Sequence, residues 1–533
     1  MVFQTVESFY ANKIITITGV TGFYGKVLFE RVLWDYPSIK KINLFIRKNR
    51  HTNGFDRFKT DVLHSPIFER VNKRCAEQNL DFNSWIFNKT NIIEVDFDLK
   101  DLGLEEQVLE DLFSHTDIFF HIAASVNWDD PIDYTIKSNV INAINLAKLL
   151  SQYQPTEKPH FVFISSALIF NKVNGVCPEL PLSDLANEDQ NFNDIIENLS
   201  KINLDEFYKE LVLKRTQLME WATKNIKYPC PYECIVFPNE ELKQQLLSKL
   251  RRDRTNEALK DYGYKVVKKY HFSDTYTFGK VLTEISLDKF KNELNISIIR
   301  PSAISAAIIE PTPGWVERMI AFNPLILKLG SGKLNILPAA KKAILDFIPI
   351  DYTINQTLIS PYLHQQNNVV QVLHAITSKK VKLKVSHFSD LVLNHFSLMY
   401  FKDYKNQNKV ARVYFTIPCS LALFGLKLFL LMTLGVIQFF YWVRNVPFIH
   451  IFLKKLVFIR RILQKNIRLL SLYRVYLEKG KWIINYEKTN NYLEQLSNED
   501  RKKYNYNIET YPSWDDYWKN IHFEGMFKFI LKK

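Results

Sequence analysis

Ile14-Ile15-Thr16-Ile17-Thr18-Gly19-Val20-Thr21-Gly22-Phe23-Tyr24-Gly25-Lys26 decides the fold. Ile14, Ile15 and Ile17 make a β-branched run short enough to be a buried parallel strand. Glycines follow at 19, 22 and 25, and then Val27, Leu28, Phe29, Val32 and Leu33 recur at helical spacing. Strand, glycine turn and helix are the context in which such a triplet holds a dinucleotide, the alternative being a plain tight turn. Gly19 permits the turn, Gly22 lets backbone approach a pyrophosphate, and Gly25 lets helix pack close to strand. Backbone N–H groups and the helix dipole then hold the phosphates. Thr18, Gly19, Thr21, Gly22, Phe23, Tyr24 and Gly25 are therefore the expected cofactor-binding residues.

Further strands follow in order. Lys41–Arg47 reads as the second. An acidic residue at its end would suit the ribose 2′-hydroxyl of NAD, whereas Arg47, with Lys48 and Arg50 nearby, suits the 2′-phosphate of NADPH. Asn91–Leu99 is the third, with Asp98 near its carboxyl end. Asp117–Ser125 is the fourth, and its small residues Ala123 and Ala124 let backbone lie against a nucleotide. An amphipathic helix over 134–151 precedes the fifth, His160–Ala167, which ends in Ser165 and Ser166. This succession predicts an α/β fold, a Rossmann-like doubly wound parallel sheet with ligands at the strands' carboxyl ends. Residues 175–270 are polar and read as irregular helices and loops. Tyr276 and Lys280 then share a helix face, where an ammonium is expected to lower the pKa of a tyrosine acting as proton donor.

A chain of 533 residues with 47% apolar content has ample core and predicts two or three domains. Five scattered cysteines argue against a disulfide framework. Cys230 and Cys234 are spaced for one helix face, but no second pair completes a zinc site, so no metal is expected. No signal peptide is visible, which suggests a cytosol-facing compartment. The net charge of +14 is concentrated: residues 404–477 hold twelve Lys and Arg and no Asp or Glu. These cations interleave with very apolar sequence and belong to no recognisable nucleic-acid module, so an anionic membrane surface is the better partner.

Taken together, Thr18–Gly25, Ser166, Tyr276 and Lys280 follow the order of the short-chain dehydrogenase/reductase superfamily. Asn295–Ser302, Glu310-Pro311-Thr312-Pro313-Gly314-Trp315 and Phe347–Tyr352 narrow the likeness. With Leu493–Arg501 and Trp514–Trp518 near the far end, nearly the whole chain resembles the fatty acyl-CoA reductases that make fatty alcohols. Leu168 departs from the family's usual tyrosine after the Ser/Thr pair, Gly279 from its usual Thr or Ser, and an insertion stands at about 190–235.

The resemblance implies reduction of a long-chain fatty acyl-CoA to a primary alcohol by NADPH through an aldehyde. Ser166, Tyr276 and Lys280 would be catalytic, with Arg47, Asp98, Leu99, Ala123, Ala124, Tyr276, Lys280, Pro301 and Ser302 completing the cofactor site. It divides the chain into a reductase domain over 1–355, a connecting region over 356–412, an apolar segment over 413–443 and a helical C-terminal domain over 444–533. A reductase of sterols or aldehydes, or a non-catalytic membrane protein on the same fold, is the competing reading. Residues 413–443 are a membrane-inserted segment, an interfacial helix or the buried wall of an acyl tunnel. The expected location is the cytosolic face of the endoplasmic reticulum or peroxisome, with membrane lipid as partner; a homo-oligomer stays open.

Overall fold

The computed structural model describes residues 5–49, 51–153, 157–170, 175–188, 190–226, 239–317, 322–332, 336–364, 369–377, 382–397, 401–402, 408–409, 415–442, 449–478, 482–507 and 510–531. Arg50, Cys230, Cys234 and Val443 lie outside them.

Seven strands among the described residues form one parallel sheet. They are β1 (Ile14–Thr18), β2 (Lys41–Ile46), β3 (Thr90–Glu94), β4 (Ile118–His121), β5 (His160–Ile164), β6 (Asn295–Pro301) and β7 (Gln371–Ala375). Their spatial order is β3-β2-β1-β4-β5-β6-β7, a doubly wound Rossmann-like sheet. Apolar side chains cover both faces, as a parallel sheet requires. Ile15, Ile17, Ile42, Leu44, Phe120 and Val162 pack with the helices Phe23–Asp35 and Ile350–Leu363. Phe45, Phe119, Phe161 and Ile298 pack on the other side with Leu146, Ala147 and Leu150 of Asn142–Gln152. The register sets Thr18 beside Phe45 and His121, and His121 beside Phe163, so the carboxyl ends of β1, β2, β4 and β5 share one edge.

Two strands stop sooner than their apolar runs suggest. β4 ends at His121 because the Thr18 hydroxyl takes the N–H groups of Ile122 and Ala123 (3.0 and 3.1 Å). β3 ends at Glu94, and the Asp98 N–H bonds to the Asp96 carboxylate instead (3.0 Å). The expected irregularity of 175–270 is corrected more fully. Leu204–Asn225 and Glu240–Lys269 are long helices, capped at their N-termini by the Asn203 and Asn239 side chains. Each buries only a thin stripe, Leu211 and Ala222 on the first and residues such as Leu247, Leu259 and Val267 on the second, which polar sequence hides from a periodicity reading.

The C-terminal residues share cores with the reductase fold. Leu493, Leu496, Tyr504 and Tyr506 join the core beneath β1. Trp514, Tyr517, Trp518 and Phe523 join Ala306, Phe347 and Phe388 in another. Gly314 (φ +76°) and Gly525 meet there with no room for a side chain: a Cβ on Gly525 would stand 1.8 Å from the Gly314 carbonyl oxygen. The Pro-Gly-Trp segment is thus the seat of the C-terminal helices. Beyond these cores, Cys419–Trp442 packs along Ile449–Glu478.

Candidate active site

The glycine turn stands at the sheet's carboxyl edge between β1 and the helix Phe23–Asp35. Gly19 has φ +78°, and a Cβ there would lie 2.8 Å from the Ala123 nitrogen. Gly25 is closed off too, since its Cβ would fall 2.3 Å from the Gly19 oxygen. Gly22 is the helix N-cap and supplies no side-chain bond to the first turn, so those N–H groups face outward from the helix end. Backbone, not side chains, forms the cradle. Phe23 and Tyr24 are buried, and the Tyr24 hydroxyl bonds Thr357 (2.6 Å) inside the core, where burial raises its pKa. Phe23 and Tyr24 therefore offer the turn only main-chain groups, and Thr21 is half-buried beside them. The Thr18 hydroxyl likewise ties β1 to β4 rather than facing outward. Behind the turn, Lys26 is buried and paired with Glu317 of the segment following Trp315.

Arg47 and Lys48 are exposed just past β2, and the Arg47 carbonyl accepts a bond from Arg57 Nη1 (2.5 Å). Asp98 and Leu99 are exposed in the turn beyond β3. Ala123 continues from β4 against Gly19, and Ala124 follows it. Pro301 ends β6; Ser302 follows, its N–H bonded to Ala375 and its buried hydroxyl without a partner among the described residues. The glycine cradle, the uncapped helix N-terminus and this orphaned hydroxyl fit a nicotinamide dinucleotide lying along the edge.

The candidate reacting groups come from the end of β5 and the helix Thr275–Leu287. Asp274 caps that helix through its carboxylate (Thr277 N–H, 2.7 Å), and nearly every residue in it is buried. Position 166 on the chain past β5 meets position 276 in the helix's first turn, close enough for the Ser166 hydroxyl to lower the Tyr276 pKa. Leu168 N–H donates to Ser166 Oγ (3.2 Å), which leaves the serine proton free to point at Tyr276. Burial pushes the Tyr276 phenol up to about 12, and the serine bond offsets part of that rise. Lys280 Nζ donates to the Ile164 carbonyl (2.6 Å) and sits 5.9 Å from the Tyr276 ring centre. Burial lowers Lys280 to about 7, with Glu284 opposing. The expected lowering of Tyr276 by a neighbouring ammonium is thus corrected: desolvation dominates both groups, and Ser166 supplies the compensation.

Several supporting residues escaped the sequence reading. Glu284, one turn beyond Lys280 on the same face, pairs with buried Arg300 of β6 (2.6 Å) and accepts from Ser165. Arg300 also meets His374 of β7 (3.2 Å), so one ion pair fixes the helix Thr275–Leu287 to three strands. The i, i+4 spacing of Lys280 and Glu284 was the available signal. Asn139, in a π-turn spanning Lys137–Ile141, holds Ser125 by both main-chain groups (2.7 and 2.9 Å). Asp129, four residues on, is gripped by Arg468 (2.5 Å) and Lys260 (3.3 Å). Arg468 also reaches Glu257 and Asp261, joining the loop after β4, the helix Glu240–Lys269 and the long C-terminal helix. Nothing in sequence distance foretells that junction. Among the described residues no group of His, Cys, Asp or Glu is placed to hold a metal.

The chain is similar to known proteins along most of its length. Residues 17–357 match the family described as male sterility protein. Fatty acyl-CoA reductase 1 of Arabidopsis thaliana is 26% identical over 98% of this chain and 99% of its own. The alcohol-forming fatty acyl-CoA reductase of Simmondsia chinensis is 24% identical over 99% of each chain. Among solved structures, the reductase domain of the aureusimine biosynthetic cluster covers 98% of this chain and 93% of its own, at 13% identity and a TM-score of 0.49.

Proposed function

The chain belongs to the male sterility protein family, with relatives named fatty acyl-CoA reductases along its whole length, and on that premise we propose that it reduces a long-chain fatty acyl-CoA to the primary alcohol with NADPH. The observation that carries the chemistry is the buried Ser166–Tyr276 hydroxyl pair beside Lys280, at the same sheet edge as the glycine turn.

A nicotinamide bound along that edge supplies the hydride. The chain's own groups do the rest. A phenol held near 12 remains protonated at neutral pH, so Tyr276 keeps a proton to donate at the substrate carbonyl oxygen. Ser166 donates a second hydrogen bond to the same oxygen or to the phenolate left behind. Lys280, poised near 7, offers either an ammonium to a ribose hydroxyl or a route for reloading the tyrosine. The same residues serve the thioester and then the aldehyde, since each presents one carbonyl oxygen. Exposed Arg47, with Lys48, favours the 2′-phosphate and hence NADPH over NADH.

One described helix, over Cys419–Phe439, is long and apolar enough to cross a membrane. With its cationic neighbourhood, it supports a membrane-associated enzyme whose reductase portion faces the cytosol at the endoplasmic reticulum or peroxisome. The test is incubation of detergent-solubilised protein with radiolabelled hexadecanoyl-CoA and either NADPH or NADH. Alcohol formed with a strong preference for NADPH is expected. Reduction of an isolated aldehyde or sterol ketone but not of acyl-CoA would move the protein to another reductase class, and no turnover of any carbonyl would favour a non-catalytic role.

A further inference from the structure

The helical pair Cys419–Trp442 and Ile449–Glu478 leaves much apolar surface in solvent. On the first helix Leu421, Phe424, Leu428, Leu431, Met432 and Phe439 are half or more exposed, forming a stripe along its whole length. Only Cys419, Leu423, Thr433 and Ile437 of its described side chains are buried. On the second helix Phe458, Ile459 and Ile462 are exposed between exposed Lys455 and Lys465.

Where the pair is anchored limits how a bilayer can meet it. Cys419 and Leu477, at its two ends, belong to one core, and each bonds the same short segment: Cys419 Sγ to the Pro338 carbonyl (2.8 Å), Leu477 by its carbonyl to the Ala340 N–H (2.9 Å). A single crossing by the first helix would put those ends on opposite sides of the membrane, which a shared core forbids. A hairpin driven in tip first would carry Lys454, Lys455, Arg460 and Arg461, all in the half of the second helix nearest the tip, into hydrocarbon. Cations there are among the costliest residues to insert.

We infer that the pair lies in the plane of an anionic leaflet, its apolar stripes sunk to the acyl boundary and Lys427, Lys455 and Lys465 reaching the headgroups. This rests on the membrane reading above and specifies its geometry and lipid. Long lysine stems beside exposed apolar side chains suit that depth, and an acid-free window puts no repulsion against anionic lipid. A long acyl chain dissolved in the same leaflet would then lie beside the reductase body.

The experiment places a nitroxide at Leu421→Cys, Met432→Cys or Phe439→Cys, in a full-length background with Cys230 and Cys234 changed to serine. Depth is read in phosphatidylcholine/phosphatidylserine vesicles (3:1) by relaxation with lipid-soluble oxygen and a water-soluble nickel chelate. Equal, shallow depths at all three positions are expected. Depth increasing from 421 to 439 would overturn the in-plane seat while leaving membrane insertion intact, and aqueous exposure at every position would overturn both. Lys455→Gln with Lys465→Gln should weaken binding to those vesicles roughly thirtyfold, about fivefold per cation, with little change on pure phosphatidylcholine. Equal loss on both lipids would refute the headgroup assignment.

Discussion

Glu284→Gln removes one charge from a pair that is 1% and 0% exposed, while keeping the shape of the side chain. Arg300 then remains buried with no anion against it, and His374, its other neighbour, cannot supply one. Breaking such a pair costs about 3–5 kcal/mol. Unfolding entropy near ~2.1 cal/mol/K per residue gives roughly 1.1 kcal/mol/K for this chain, so the melting temperature should fall by only about 3–5 °C. The diagnostic comparison is the double variant Glu284→Gln with Arg300→Met. An apolar replacement leaves no stranded charge, so the second substitution should restore part of the loss despite being a second core change. Thermal unfolding followed by circular dichroism reads both. A single variant within 1 °C of the parent, or a double variant less stable than the single, would refute the claim that the ion pair locks the helix to the sheet. The same change bears on pH. Glu284 raises the Lys280 pKa against burial, so its loss should move the lysine further below about 7 and shift the alkaline limb of activity to lower pH. Lys280 itself contributes a sign that can be checked. Its folded pKa lies below its unfolded value, so the unfolded chain binds the extra proton and this residue makes stability rise with pH from about 7 towards ~10.4.

Other substitutions test other parts of the account. Tyr276→Phe should keep the fold and lower turnover ~10²–10⁴-fold, measured as alcohol formed per minute; near-normal turnover would place the proton donor elsewhere. Arg47→Asp should raise KM for NADPH far more than for NADH in paired cofactor titrations. Gly525→Ala should release the C-terminal helices and lower the melting temperature, because its Cβ would land on the Gly314 carbonyl, whereas Gly279→Ala meets only ordinary contacts near 3.6 Å and should be tolerated.

The sheet was legible because its evidence is local. Ile14–Thr18 and the turn after it announce themselves by β-branching and glycine spacing, and the structure makes that turn from backbone with Gly19 and Gly25 pressed against their neighbours. Ser166, Tyr276 and Lys280 stood out in the sequence as candidates, but not their electrostatics: which effect dominates a pKa depends on burial, and Tyr276 and Lys280 sit in a helix buried almost all round. Side-chain direction was also hidden. Thr18 and Tyr24 belong to the glycine motif, yet their hydroxyls turn to Ala123 and Thr357. The long helix Glu240–Lys269 was missed because Leu259 and Val266 make too narrow a stripe among Lys, Glu and Asn. Arg468 and Asp129, 339 positions apart, were beyond any periodicity.

The most direct test of the central claim uses NADPH carrying deuterium at the transferable C4 position, with unlabelled hexadecanoyl-CoA and the wild-type protein. Two successive hydride transfers to one carbonyl carbon predict hexadecanol with two deuterium atoms at C1 and two cofactor molecules oxidised per thioester consumed. Alcohol without deuterium at C1, or no reduction of the thioester at all, would contradict it.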